Sequence, residues 1–243
     1  MSFLSDLKVL YHLAIRPVRG SSHAERMENF YSGQAKAYDD FRKRLLHGRE
    51  ELYRKIGEGK TGAWVDMGGG TGANLEFIGP AIQQYSKVYV VDLASSLLKI
   101  SDLRAQERGW KQVQSVTADA TQWMPDEPVD IITFSYSLTM IPDWFAAIDN
   151  AYRLLKPGGH IGVVDFYVGR KHPNSGMKKH GWFTRNFWPV WFSSDNVFPN
   201  QDHIPYLQGK FETVWLSENR SKVPYIPFIR TPFYQFIGRK PLA

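Results

Sequence analysis

The chain has 243 residues, 43% of them apolar and 22% charged, and no cysteine. That length supports the core of one large α/β domain or two small ones. The composition excludes a wholly disordered chain, a membrane-spanning helix, which needs ~18–20 consecutive apolar residues, and any disulfide scaffold, thiolate metal site or cysteine nucleophile. The formal net charge of +6 is unevenly spread: residues 170–243 hold 11 Lys and Arg against 4 Asp and Glu, with 15 of the 35 aromatic residues. Such a segment suits a nucleic acid, an anionic membrane or an anionic lipid head group, or else forms a solvated basic rim over an aromatic core.

The first 20 residues place Leu7, Leu10, Tyr11 and Ala14 on one helical face that ends at Arg16-Pro17 and Gly20. This amphipathic helix, with Lys8, Arg16 and Arg19, either rests on a membrane or packs on its own domain. Asp6 interrupts the only early apolar stretch, so no secretory signal is expected. Helical pattern continues from Ala24 to Glu58. Strands and helices then alternate: strands at 63–67, 87–92, 112–119, 129–137 and 160–167, with helices at Asn74–Gln84, Ser95–Arg108 and near Trp144–Leu155. Nearly continuous apolar strands separated by helices predict a doubly wound α/β fold with a mostly parallel sheet covered on both faces. Residues 169–209 read as an irregular insertion, and 211–220 and 232–240 as an antiparallel pair at the sheet edge. The expected layout is a single domain, 1–243: N-terminal helices over 1–58, a ligand-binding core at 60–167, an aromatic and basic cap at 169–209 and a terminal strand pair at 211–240.

The strongest local signal is Asp66-Met67-Gly68-Gly69-Gly70-Thr71-Gly72-Ala73-Asn74, a glycine loop after a strand and before a helix. Glycines let the backbone turn and let a ligand approach closely. Asp92 ends the next strand, where a carboxylate can accept both ribose hydroxyls of a nucleoside, and Leu93 follows it. The loop satisfies two patterns. Gly68, Gly70 and Ala73 fit the dinucleotide pattern; Asp66 with Gly68, Gly70 and Gly72 fits the loop that binds S-adenosylmethionine (AdoMet). A dinucleotide brings a pyrophosphate dianion, for which an acid at 66 gains nothing, whereas AdoMet brings a sulfonium and an ammonium. Ala118-Asp119-Ala120 ends the third strand, where an acid can take the adenine amine. Asp130 opens the fourth strand, Phe134-Ser135-Tyr136-Ser137 closes it, and Leu155-Lys156-Pro157-Gly158-Gly159 leads into the fifth.

This ordered set, over roughly residues 60–167, resembles the class I AdoMet-dependent methyltransferases. The resemblance implies a Rossmann-like seven-stranded sheet, AdoMet as cofactor, and cofactor contacts from Asp66, Gly68, Gly69, Gly70, Asp92, Leu93, Asp119, Ala120 and Ser135. The flanks must choose the substrate. Arg19-Gly20, Arg26-Met27-Glu28-Asn29-Phe30-Tyr31, Gln34-Ala35, Tyr38-Asp39, Arg42 and Leu45-Leu46-His47-Gly48-Arg49-Glu50 resemble the N-methyltransferase of betaine-lipid synthesis, which methylates diacylglyceryl-homoserine three times. Tyr38 and Arg42 also match a segment of related small-molecule and lipid-quinone methyltransferases. These resemblances imply AdoMet contacts from Tyr38 and Arg42 and substrate contact from Tyr31; Tyr31 and Tyr38, on one helical face, alternatively just pack on the sheet.

Methyl transfer is an in-line displacement that the enzyme promotes by positioning. An amine nucleophile must lose its proton, which a His, a Tyr or water can take, and a quaternary product gains ~0.5–2 kcal/mol from each aromatic face. Tyr136 and His203 are the candidates besides Tyr31, although a loop histidine is commonly just solvated. Trp182, Phe183, Phe187, Trp188, Trp191 and Phe192 with Lys178, Lys179 and Arg185 suit a bilayer interface, or a cluster buried on the sheet. No metal site is expected, because His172, His180 and His203 share no ligand spacing with acids. The expected function is lipid-amine methylation at the membrane surface of a cytoplasmic enzyme. The betaine-lipid resemblance also implies an aminocarboxypropyl transferase that supplies the substrate, so this chain is expected to be a stand-alone methylation step fed by that partner or one domain of a longer protein; no nucleic acid is expected. The alternatives are methylation of a quinone or small amine, a nicotinamide oxidoreductase, and a non-catalytic AdoMet-binding module that docks on membrane or RNA.

Overall fold

A computed structural model describes residues 21–22, 25–26, 28, 45–193, 196–223 and 226–242. In it the alternation becomes β1 (Gly62–Met67), β2 (Tyr85–Asp92), β3 (Val113–Thr117), β4 (Val129–Ser135), β5 (Leu155–Phe166), β6 (Glu212–Val223) and β7 (Ile226–Arg239), in the spatial order β3-β2-β1-β4-β5-β7-β6. β1 to β5 pair in parallel, and β7 runs antiparallel to both β5 and β6. The strand order reverses between β1 and β4, and the crevice outside the C-terminal ends of these strands is where open α/β sheets bind ligands.

Helices α1 (Arg49–Gly57), α2 (Ser95–Arg108), α3 (Trp144–Leu154), α4 (Trp182–Ser193) and α5 (His203–Lys210) flank the sheet. Three of them follow from local chemistry. On α1, Glu50 and Glu51 occupy the first turn and Arg54 and Lys55 the last, matching the helix dipole, while Leu52, Tyr53 and Ile56 are buried. Asp143 caps α3 by accepting from the Ala146 amide at 3.1 Å; Trp144, Ala147, Ile148, Ala151 and Leu154 form its buried stripe. Gly109, at φ 66°, ends α2. One apolar layer holds α3 and α5 against the sheet; the other holds α1 and the inner residues of α4, Trp188 and Phe192.

Two stretches differ from the sequence reading. Residues Ala73–Gln84 form 3-10 turns rather than an α-helix, because Gly79 adopts φ 63°, ψ −146° and Pro80 has no amide hydrogen to donate. The 169–209 insertion is not irregular: it contains α4 and α5. Its base is fastened to β6 through Glu218, which accepts from the Tyr167 hydroxyl and the Lys178 amide, both at 2.8 Å. The helical segments read at 1–20 and across most of 24–48 lie outside the described residues.

Candidate active site

β1 delivers the glycine loop into the crevice, and β2 ties it down. The Gly68 and Gly69 amides donate to the Val91 carbonyl at 2.7 and 3.2 Å. Asp92 Oδ2 accepts from the Gly70 amide and Oδ1 from the Ala94 amide, each at 2.9 Å. One carboxylate thus pins the loop and starts the turn into α2. Gly68 sits at φ 66°, and a Cβ there would lie 2.5 Å from Ser137 Cβ; only glycine suits this backbone and this approach. Ser137 in turn donates its hydroxyl to the Met67 carbonyl at 2.9 Å, joining the ends of β4 and β1.

These elements enclose a cavity of about 350 Å³. Gly68, Gly70, Asp92, Leu93, Asp119, Ala120 and Tyr136, all expected from the sequence, line it together. So do Leu97, Thr121, Gln122, Met140, Ile141, Pro142 and Asp143, which sequence reasoning missed; apart from Asp143, none is a titratable group or belongs to a motif. Asp119 Oδ1 accepts from the Thr121 amide and hydroxyl at 2.8 Å, shaping the turn after β3.

Tyr136 follows β4 with φ 54°, a backbone conformation that is costly for a bulky residue. Its ring packs 4.6 Å from that of Phe166, and its hydroxyl donates to the His47 carbonyl at 2.8 Å. Burial holds that hydroxyl well above the usual phenol range, so at neutral pH Tyr136 presents an aromatic face with its proton committed elsewhere.

Other expected site residues stand apart. Asp66 is fully buried beneath the loop and does not line the cavity. Its Oδ1 accepts from the hydroxyls of Tyr53 at 2.5 Å and Thr133 at 2.9 Å. Its Oδ2 lies 3.0 Å from where a Cβ on Gly69 would sit, and the Asn74 side chain is close enough to favour the charged form. Burial raises its pKa to about 6, and the nearby Asp92 charge adds to that. Ser135 is buried and does not line the cavity. His203 is not on a loop: it opens α5, is completely enclosed, and packs edge-on to Trp144 at 4.6 Å. Neither of its ring nitrogens finds a partner among the described residues, and burial lowers its pKa to about 3. Asp130 lies near the opposite, N-terminal end of β4, bound to the Ala63 amide and Lys156. Tyr31, Tyr38 and Arg42 lie outside the described residues. Among the described residues, no group of acidic and histidine side chains could hold a metal ion.

Two carboxylates flank a glycine cradle that a single Cβ would fill, beside a concave wall at the strand switch point. This arrangement suits a nucleoside at the strand switch point, and with the seven-stranded order and the family match it marks a class I methyltransferase that uses AdoMet. Residues 20–207 match the ubiE/COQ5 methyltransferase family, and the chain belongs to it. Among curated relatives, it is 26% identical over 171 residues to the ubiquinone/menaquinone biosynthesis C-methyltransferase UbiE of Psychromonas ingrahamii, covering 68% of each chain. It is 28% identical over 140 residues to the demethylmenaquinone methyltransferase of Geobacillus stearothermophilus, covering 57% of this chain and 56% of that one. The fold matches the phosphoethanolamine N-methyltransferase 2 of Haemonchus contortus in complex with AdoMet with a TM-score of 0.69 at 17% identity, over 91% of this chain and 60% of that one. The dinucleotide alternative for the glycine loop is therefore set aside.

Proposed function

We propose that the protein methylates a ring carbon of a lipophilic quinol. The observation that carries this reading is family membership, with residues 20–207 matching the ubiE/COQ5 methyltransferases. The cavity agrees with it: beside the carboxylates of Asp92, Asp119 and Asp143 it has an apolar stretch made by the Tyr136 ring, Met140, Ile141 and Pro142. A flat aromatic acceptor suits that stretch. Among the described residues that line the cavity, none is a cation that would pair with the carboxylate of a homoserine head group. Family membership and the names of the two curated relatives support the same reading over the betaine-lipid one.

Bound AdoMet supplies an electrophilic methyl group on a sulfonium. Asp92 would accept hydrogen bonds from its ribose hydroxyls, Asp119 would meet its adenine amine, and Leu93, Leu97 and Ala120 would enclose the base. Asp66, beneath the loop, adds negative potential toward the cationic end. The chain's remaining contribution is placement: Tyr136 and Met140 hold the acceptor ring in line with the methyl group, and the ring proton that the methyl displaces passes to water. Incubating the protein with AdoMet and, in parallel, a desmethyl quinol, diacylglyceryl-homoserine and soluble amines tests the assignment. Turnover of the quinol alone is expected; turnover of the homoserine lipid alone would overturn it.

A further inference from the structure

We infer that the outer face of α4 docks the enzyme on an anionic lipid bilayer. The helix is two-sided. Trp188 and Phe192 are buried, while Trp182 is 72% exposed, Phe183 60%, Val190 75% and Trp191 44%. Phe183 stacks on the half-buried Phe187, whose ring meets that of Trp191 at a tilt, with centroids 4.9 and 5.4 Å apart. Exposed aromatic clusters of this kind mark interaction surfaces, and indole rings favour the boundary between head groups and acyl chains.

Charge selects the occupant. Residues 170–193 contain five Lys and Arg and no Asp or Glu; Arg170 is paired with Asp202 and Lys178 is held at Glu218, which leaves the exposed Lys171 and Lys179 as the charges for a partner. A second copy of the chain would bring like charge against like, whereas an anionic surface complements it. At 12 residues the helix is about 18 Å long, too short to span a hydrocarbon core of ~30 Å, and among the described residues no helix is long and apolar enough to cross a membrane. It therefore lies in the interface plane.

The inner face connects this surface to the site. Trp188 contacts Phe192 at 5.5 Å, Phe192 contacts Phe166 at 4.6 Å, and Phe166 contacts the cavity-lining Tyr136 at 4.6 Å. Docking on α4 thus sets the acceptor end of the cavity beside the bilayer. The inference does not depend on which lipophilic acceptor is methylated, and its test contains no substrate.

The full chain is sedimented with vesicles of phosphatidylcholine alone and of phosphatidylcholine with one third phosphatidylglycerol. The comparison is with the triple variant Phe183→Ser, Val190→Ser, Trp191→Ser and with Lys171→Glu, Lys179→Glu. All five side chains are outside the cavity, so AdoMet affinity and thermal midpoint report whether each variant is folded. The expected result is binding to the anionic vesicles at least tenfold stronger than to the neutral ones, reduced tenfold or more by either set of changes, with a blue shift of tryptophan emission in the wild type. Failure of the wild type to sediment, or equal sedimentation of the folded variants, would overturn the inference. So would a lipid-free dimer that the triple variant abolishes, which would make the ridge a contact between copies.

Discussion

Changing Asp92 to asparagine removes a charge while nearly preserving shape, and the structure fixes what should follow. Both carboxylate oxygens already serve the backbone, accepting from Gly70 and Ala94 at 2.9 Å. The amide has one acceptor where two are needed, so its NH2 must face a backbone N–H. Hydrogen bonds to a charged group contribute ~1.5–3 kcal/mol, and the variant also weakens any bond from the ribose. One such loss lowers AdoMet affinity by about 10- to 150-fold, measured by titration calorimetry, with a smaller fall in unfolding free energy from the loosened loop. A ligand lacking both ribose hydroxyls separates the two effects. If Asp92 holds the ribose, the variant and the deoxygenated ligand are non-additive, and the penalty largely disappears when both are combined. Equal penalties for both ligands, or an affinity unchanged within twofold, would refute the assignment.

Further outcomes follow from the same geometry. Gly68→Ala meets both the φ of 66° and the 2.5 Å approach to Ser137; it should cost ~1–3 kcal/mol in chemical denaturation and abolish measurable AdoMet binding. Asp165, buried against the Thr139 amide and hydroxyl, has its pKa raised to about 7, chiefly by burial. The folded state therefore retains a proton that the unfolded chain releases near pH 4. Stability falls as pH rises from about 4 to 7 and levels off above that, by a few kcal/mol, and Asp165→Asn should flatten this part of a urea-denaturation profile; Asp66, at about 6, contributes in the same direction. His203→Phe removes two unpartnered nitrogens from an enclosed site; it should leave stability equal or higher and turnover within twofold, and a hundredfold loss of turnover would restore His203 as a catalytic candidate.

The parts of this molecule legible in sequence are those whose pattern repeats a local rule. Buried parallel strands such as β2, with its apolar run at 88–91, are legible as such, and the loop after Asp66 carries glycines at positions where the backbone has φ near 60°. The cavity-facing roles of Asp92 and Asp119 followed from their places at strand ends. The helices of the 169–209 segment did not declare themselves, because Pro189 and a run of aromatics have low intrinsic helix preference; burial of Trp188 and Phe192 against Phe166 overrides it. The position of Asp66 was also hidden. Its hydroxyl partners, Tyr53 on α1 and Thr133 on β4, are distant in sequence, and only the fold shows that they draw the carboxylate under the loop. His203 shows the converse: a histidine among polar residues looked solvated, yet α5 packs it into the core.

The central claim is that the cavity wall presents an aromatic carbon, not an amine, to the methyl donor. Tandem mass spectrometry of products formed with deuterated-methyl AdoMet, from a mixture of desmethyl quinol and diacylglyceryl-homoserine, locates the transferred group. A CD3 group bonded to a quinol ring carbon is the predicted product; label on the homoserine nitrogen, with the quinol unmodified, would contradict the account.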